Sequence, residues 1–116
     1  MAIPAMIGHA SGGYRTVAPG IEVRTLCHGG ATLMAEFRLA AGHEIPTHSH
    51  PHEQTGYLVR GRIRLRIGDE IHEVGPGDSW CIAGSSKHGA TVVEDSVAVE
   101  VLAPVRDDYL FDADAE

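Results

Sequence analysis

The chain is punctuated too often for long helices. Glycine occurs 14 times in 116 residues. Turn signals recur about every 8 to 12 residues, between short stretches of alternating apolar and polar side chains. Residues 21–27 (IEVRTLC) alternate in this way, and residues 31–39 (ATLMAEFRL) resume after the turn signal His28-Gly29-Gly30. Ala41-Gly42 interrupts the rhythm. Residues 55–60 (TGYLVR) read as a short strand closed by a turn at Arg60-Gly61. Residues 62–67 (RIRLRI) are the cleanest period-two segment: Ile63, Leu65 and Ile67 share one face, Arg62, Arg64 and Arg66 the other. Three like charges on one face read as a solvated outer surface. Gly68-Asp69 is a hairpin signal before residues 70–74, and Gly75-Pro76-Gly77-Asp78 a further turn before residues 79–83 (SWCIA). After a loop at 84–87 come residues 88–94 (HGATVVE), a turn at Glu94-Asp95, and a last strand with Val97, Val99 and Val101 on one face. The pattern predicts an all-β sandwich or barrel.

This length supports one core, so residues 1–116 are expected to form a single domain with its core at about 21–105. An N-terminal arm, residues 1–13, ends in a flexible joint at Ser11-Gly12-Gly13, and an acidic tail, residues 107–116, frays beyond Tyr109 or Phe111. The formal charge of −7 argues against nucleic acid and anionic membranes as partners. The opening MAIPAMIGHA has neither a basic segment nor a sustained apolar run, which predicts a cytoplasmic location. Two cysteines are too few for a disulfide framework. Cys81, between Trp80 and Ile82, reads as a small buried hydrophobe.

Chemistry concentrates at residues 42–61, GHEIPTHSHPHEQTGYLVRG. His48 and His50 are two apart, so on an extended strand their imidazoles leave from one face. Gln54 shares that parity, and His88 can close the set from a neighbouring strand. Three neutral imidazoles and an amide oxygen suit one divalent first-row metal: Zn, Ni, Mn, Fe or Cu. A neutral amide leaves the ion its full charge, which favours Lewis-acid work over an Fe(III) state. Glu53 is the alternative fourth donor, because a bend at Pro51 can change which side chain points inward. His52 reads as solvent-facing or as support behind the ligands, and His9, His28, His43 and His72 as surface or structural residues.

Three residues near the last strand and Gln54 add to the candidate site. Glu100, opposite the valine face, is either a surface glutamate or an inward carboxylate able to move a substrate proton. Arg106 either clamps a substrate carboxylate or pairs with Asp107, Asp108 or Glu100. Tyr57 fills the core or lines the pocket.

These motifs resemble the cupins, small jelly-roll barrels with an interior metal. The family's first motif, G-x5-H-x-H-x(3,4)-E-x6-G, is matched by Gly42, His48, His50 and Gly61, with Gln54 in place of glutamate. The second, G-x5-P-x-G-x2-H-x3-N, is matched by Gly77 and His88, with Ala83, Ser85 and Val92 at its proline, glycine and asparagine. The resemblance covers about residues 31–104 and implies a cupin double-stranded β-helix (jelly-roll) barrel that forms a homodimer and takes a small-molecule substrate. Within the family the chain is most similar to the pectin-degradation cupins that open unsaturated uronates. These bind metal through three histidines and a glutamine, and use an aspartate, a phenylalanine and an arginine near the last strand. Arg106 matches the arginine, whereas Glu100 and Leu102 stand for the acid and the aromatic. The resemblance implies a metal-dependent, isomerase-like or lyase-like reaction on a sugar acid or similar molecule. An Fe/Mn-dependent dioxygenase and a non-catalytic ligand-binding cupin are the alternatives.

Overall fold

In the computed structural model, which describes residues 3, 5–8 and 13–113, eight strands precede one short 3-10 helix. The strands are β1 (Arg15–Ala18), β2 (Ile21–His28), β3 (Leu33–Leu39), β4 (Glu44–His48), β5 (Glu53–Ile67), β6 (Glu70–Val74), β7 (Ser79–Ile82) and β8 (His88–Ala103). The 3-10 helix is Asp107–Ala113. The all-β reading is borne out. Every ladder is antiparallel, in the order β1-β2-β3-β8-β5-β6, with β4 also on β8 and β7 also on β5.

β5 and β8 build the jelly roll. They pair from Glu53↔Ala103 to Ile67↔His88, and each crosses from one wall of the barrel to the other. The later half of β8 pairs with β3, its earlier half with β4. Arg60-Gly61 and Glu94-Asp95, expected as turns, therefore lie inside continuous strands, at register shifts of the β5–β8 ladder. Gly61 at φ +99° permits the shift, and a Cβ there would run into Ser96. The Ser96 hydroxyl accepts from Arg62 N–H at 3.0 Å and donates to the Glu94 carbonyl at 2.7 Å, bonding the bend internally. Both dipeptides have turn composition; the partner strand opposite them makes them bulges instead.

Alternation otherwise sets which side chains point inward. On β5, Gln54, Gly56 and Leu58 are buried before the bend, Ile63 and Leu65 after it. The arginine face is solvated as expected: Arg64 pairs with Glu73 at 2.7 Å, Arg66 with Glu44 at 3.6 Å and Arg62 with Glu94 at 3.8 Å. The same alternation overturns two expectations. Tyr57, between inward Gly56 and Leu58, points outward and is 49% exposed, so it neither fills the core nor lines the pocket. Cys81 is exposed, because Trp80 and Ile82 take the inward positions of β7.

The core holds Ile21, Val23, Leu33, Leu58, Ile82 and Leu102 between the two walls. Its metal-site end is covered by the segment expected to be an acidic tail. Through residue 113 that segment is helical; Tyr109 is buried edge-on to Phe37, and its carbonyl accepts from the Thr25 hydroxyl. Of the expected N-terminal arm, Ile3, Met6 and Ile7 are exposed, while Ser11-Gly12 and His9 lie outside the described residues. Among the described residues no helix is long and apolar enough to cross a membrane.

Candidate metal centre

β4 and β8 bring the first two imidazoles together. His48 ends β4, His88 begins β8, and the two are register partners. Their ring centroids are 4.3 Å apart. His50 lies just beyond β4, its ring 4.9 Å from that of His88 and 5.6 Å from that of His48. One ring nitrogen from each histidine lies within 4.8 Å of the other two. The backbone holds this turn from the far side: Ser85 N–H donates to the His50 carbonyl at 2.7 Å. Ser85 takes φ +68°, the conformation the family's glycine is suited to at this position.

Hydrogen bonds choose the tautomers. A backbone carbonyl can only accept, so His48 Nδ1 donates to Pro46 at 2.8 Å and His88 Nδ1 donates to Ser86 at 2.9 Å. That leaves Nε2 of each ring with a bare lone pair. His88 Nε2 is buried without a hydrogen-bond partner, which is costly unless an electron acceptor sits opposite. Burial also lowers the pKa of His50, helped by the Arg106 charge and His88, and burial lowers that of His88. Both rings are therefore neutral near pH 7, the form that ligates. The cluster fits a divalent cation.

Gln54, inward on β5, extends it. Its Oε1 accepts from His50 Nε2–H at 2.9 Å, which leaves the buried Nδ1 of His50 without a partner. Glu53, the alternative donor, points outward; its carboxylate is 3.9 Å from Cys81 Sγ. His52 is half-buried with its ring 5.3 Å from that of His50, beside the triple. His28 bonds the Gly29 carbonyl, His43 packs under Gly20 and His72 pairs with Glu70, away from the site.

Glu100 faces inward, which settles the choice left open by the sequence. Trp80 Nε1–H donates to its Oε2 at 3.0 Å, and the Gln54 side chain is bonded to it as well, so Gln54 touches both His50 and Glu100. Burial raises the pKa of Glu100, against the opposing pull of Gln54, Trp80 and the Arg106 charge. The indole has room because Gly56, its register partner, has no side chain; a Cβ there would enter the ring. Arg106 lies over the Tyr109 ring, 4.4 Å from its centroid, and its Nε donates to Asp108 at 2.8 Å. Of its expected partners, Asp108 is the one it reaches. Trp80 and Tyr109 were missed in the sequence, since their positions depend on the β5–β7 pairing and the docking of the helix. These groups border an interior cavity of about 290 Å³.

The Cupin domain family matches residues 35–104. The chain belongs to the cupin family. This cupin is similar to the solved structure of KdgF from Halomonas sp., with 26% identity and a TM-score of 0.84 over 90% of this chain and 97% of that one. It is also similar to an RmlC-like cupin from Shewanella frigidimarina, with 20% identity and a TM-score of 0.85 over 91% and 96% of the two chains. The jelly-roll barrel and the likeness to a pectin-degradation cupin expected from the motifs are thus borne out. No curated protein matches this cupin in sequence.

Proposed function

We propose that this cupin is a metal-dependent enzyme for non-redox chemistry on a small oxygenated acid. The observation that carries the reading is the buried, unpartnered His88 Nε2 converging with His48 and His50 beside a buried carboxyl. His48, His50, Gln54 and His88 would hold the cation, which supplies Lewis-acid polarisation of a carbonyl or hydroxyl. The chain's own groups do the rest. Arg106, stacked on Tyr109, orients the substrate carboxylate; its bond to Asp108 uses Nε and leaves the terminal nitrogens for a bidentate contact. Glu100 moves the proton, because burial raises its pKa from the ordinary carboxylate value towards the working range. Gln54 relays the position of Glu100 to the metal site through its two contacts. The likeness to KdgF at 26% identity supports a sugar acid, such as an unsaturated uronate, as the first substrate to try.

Elemental analysis of the protein beside His48→Ala and His88→Ala tests the site. About one equivalent of a first-row metal in the wild type, lost in both variants, is expected. Turnover of small acids that continues without oxygen separates this reading from a dioxygenase. A folded wild type that takes up no metal after soaking would sink it.

A further inference from the structure

The cavity behind the histidines has two unlike ends. His88 and Glu100 stand near opposite ends of β8, which bends between them, and the next inward positions on that strand are Ala90 after His88 and Ala98 before Glu100. Both alanines are buried and both line the cavity, so the space comes from their small side chains. Phe37, the register partner of Ala98, and Leu65, the register partner of Ala90, form the wall beside them. Farther from the histidines the lining is Ile21, Leu39 and Ile63, with Val17, 48% exposed, at the rim. Among the described residues, the polar side chains on the cavity wall are His48, Gln54, His88, Trp80, Glu100, Arg106 and Tyr109, all towards the metal-site end.

We propose that the ligand is an acid with an apolar body: an α-keto or α-hydroxy acid carrying a branched aliphatic or aromatic side chain. Its oxygens lie at the histidine cluster and Arg106, and its side chain fills the space beyond Ala90 and Ala98. This rests on the metal-site reading above and narrows its substrate. A polyhydroxylated ring reaching into the same space meets only C–H groups, and each hydroxyl buried there without a partner costs about tenfold in affinity. Each methylene buried there gains about fourfold.

The test is calorimetric titration of the metal-loaded protein with pyruvate, ketoisocaproate, phenylpyruvate and an unsaturated uronate. Ketoisocaproate places three more carbons in the apolar arm than pyruvate, so it should bind on the order of fiftyfold more tightly. Ala98→Leu and Ala90→Leu should remove that gain while leaving metal content and pyruvate affinity unchanged. If overpacking prevents folding, Ala98→Ser is the milder probe, and it should weaken ketoisocaproate but not pyruvate. Pyruvate binding with no gain from the side chain overturns the apolar arm alone, as does a uronate that binds more tightly than both larger keto acids. Loss of every acid together with the metal overturns the metal-site reading, and the arm with it.

Discussion

Replacing Glu100 by glutamine should make the metal-free protein more stable while removing its activity. The carboxyl is buried, and burial raises its pKa above the ordinary 4.5. The unfolded chain releases this proton near the ordinary value, whereas the folded chain keeps it to higher pH. Stability contributed at Glu100 is therefore full below pH 4.5 and falls as pH rises towards the folded value, by at most about 1.4 kcal/mol per pH unit for one proton. Glutamine has the same shape, its oxygen accepts from Trp80, and it has no proton to lose. Denaturant unfolding of both metal-free proteins, from about pH 4 to pH 8, should show a gap in the variant's favour that widens with pH and then levels off. His50 and His88 titrate in both proteins; their lowered pKa values add stability as pH rises towards 6.5 and cancel in the difference. Saturating metal should narrow the gap, because a nearby dication favours the ionised carboxyl. Turnover should fall by about 10² to 10⁴, the range for losing a general acid–base group. Parallel stability curves across the whole range would refute the desolvated carboxyl and the proton role built on it.

Three further outcomes are expected. Chelation should lower the melting temperature on the order of 10 °C, since a site filled at a hundred times its Kd contributes about 2.7 kcal/mol; acid should release the metal as protons compete for the imidazoles, read with a metal-sensitive dye. Ser85→Gly should raise stability by about 0.5–1 kcal/mol in denaturant unfolding, because glycine adopts the φ of +68° without strain and keeps the N–H bond to His50. Gly56→Ala should cost about 1–3 kcal/mol, shift the Trp80 fluorescence and reduce activity, because the added methyl pushes the indole away from Glu100.

Local alternation made much of this protein readable in advance. The arginine and apolar faces of residues 62–67 and the shared parity of His48, His50 and Gln54 were read from a period of two, whereas His88 was reached through the spacing of the second motif and is joined to His48 by the β4–β8 pairing. Tyr57 and Cys81 were readable by the same rule, since each is one residue away from an inward neighbour; aromatic and thiol character suggested burial where parity required exposure. The bends at Gly61 and Glu94-Asp95 were not readable, because the same composition makes a turn or a bulge depending on the strand opposite. Trp80 reaches Glu100 through a pairing between β5 and β7, and Tyr109 covers the barrel from a segment whose acidity reads as solvent-exposed. In both cases long-range register, absent from local pattern, places the residue.

Among the described residues β8 is the last strand in chain order and a middle strand of the sheet, pairing with β3, β4 and β5. A ribosome adding about 5 to 20 residues per second exposes the earlier strands for seconds before their shared neighbour emerges. Until then β3 and β5 present open edges, and His48, His50 and Gln54 have no fourth member. The 16 residues of β8 act as a keystone. A nascent chain that stalls before them holds no smaller barrel, only adhesive half-sheets, so completion of the histidine cluster and escape from aggregation arrive in the same late step.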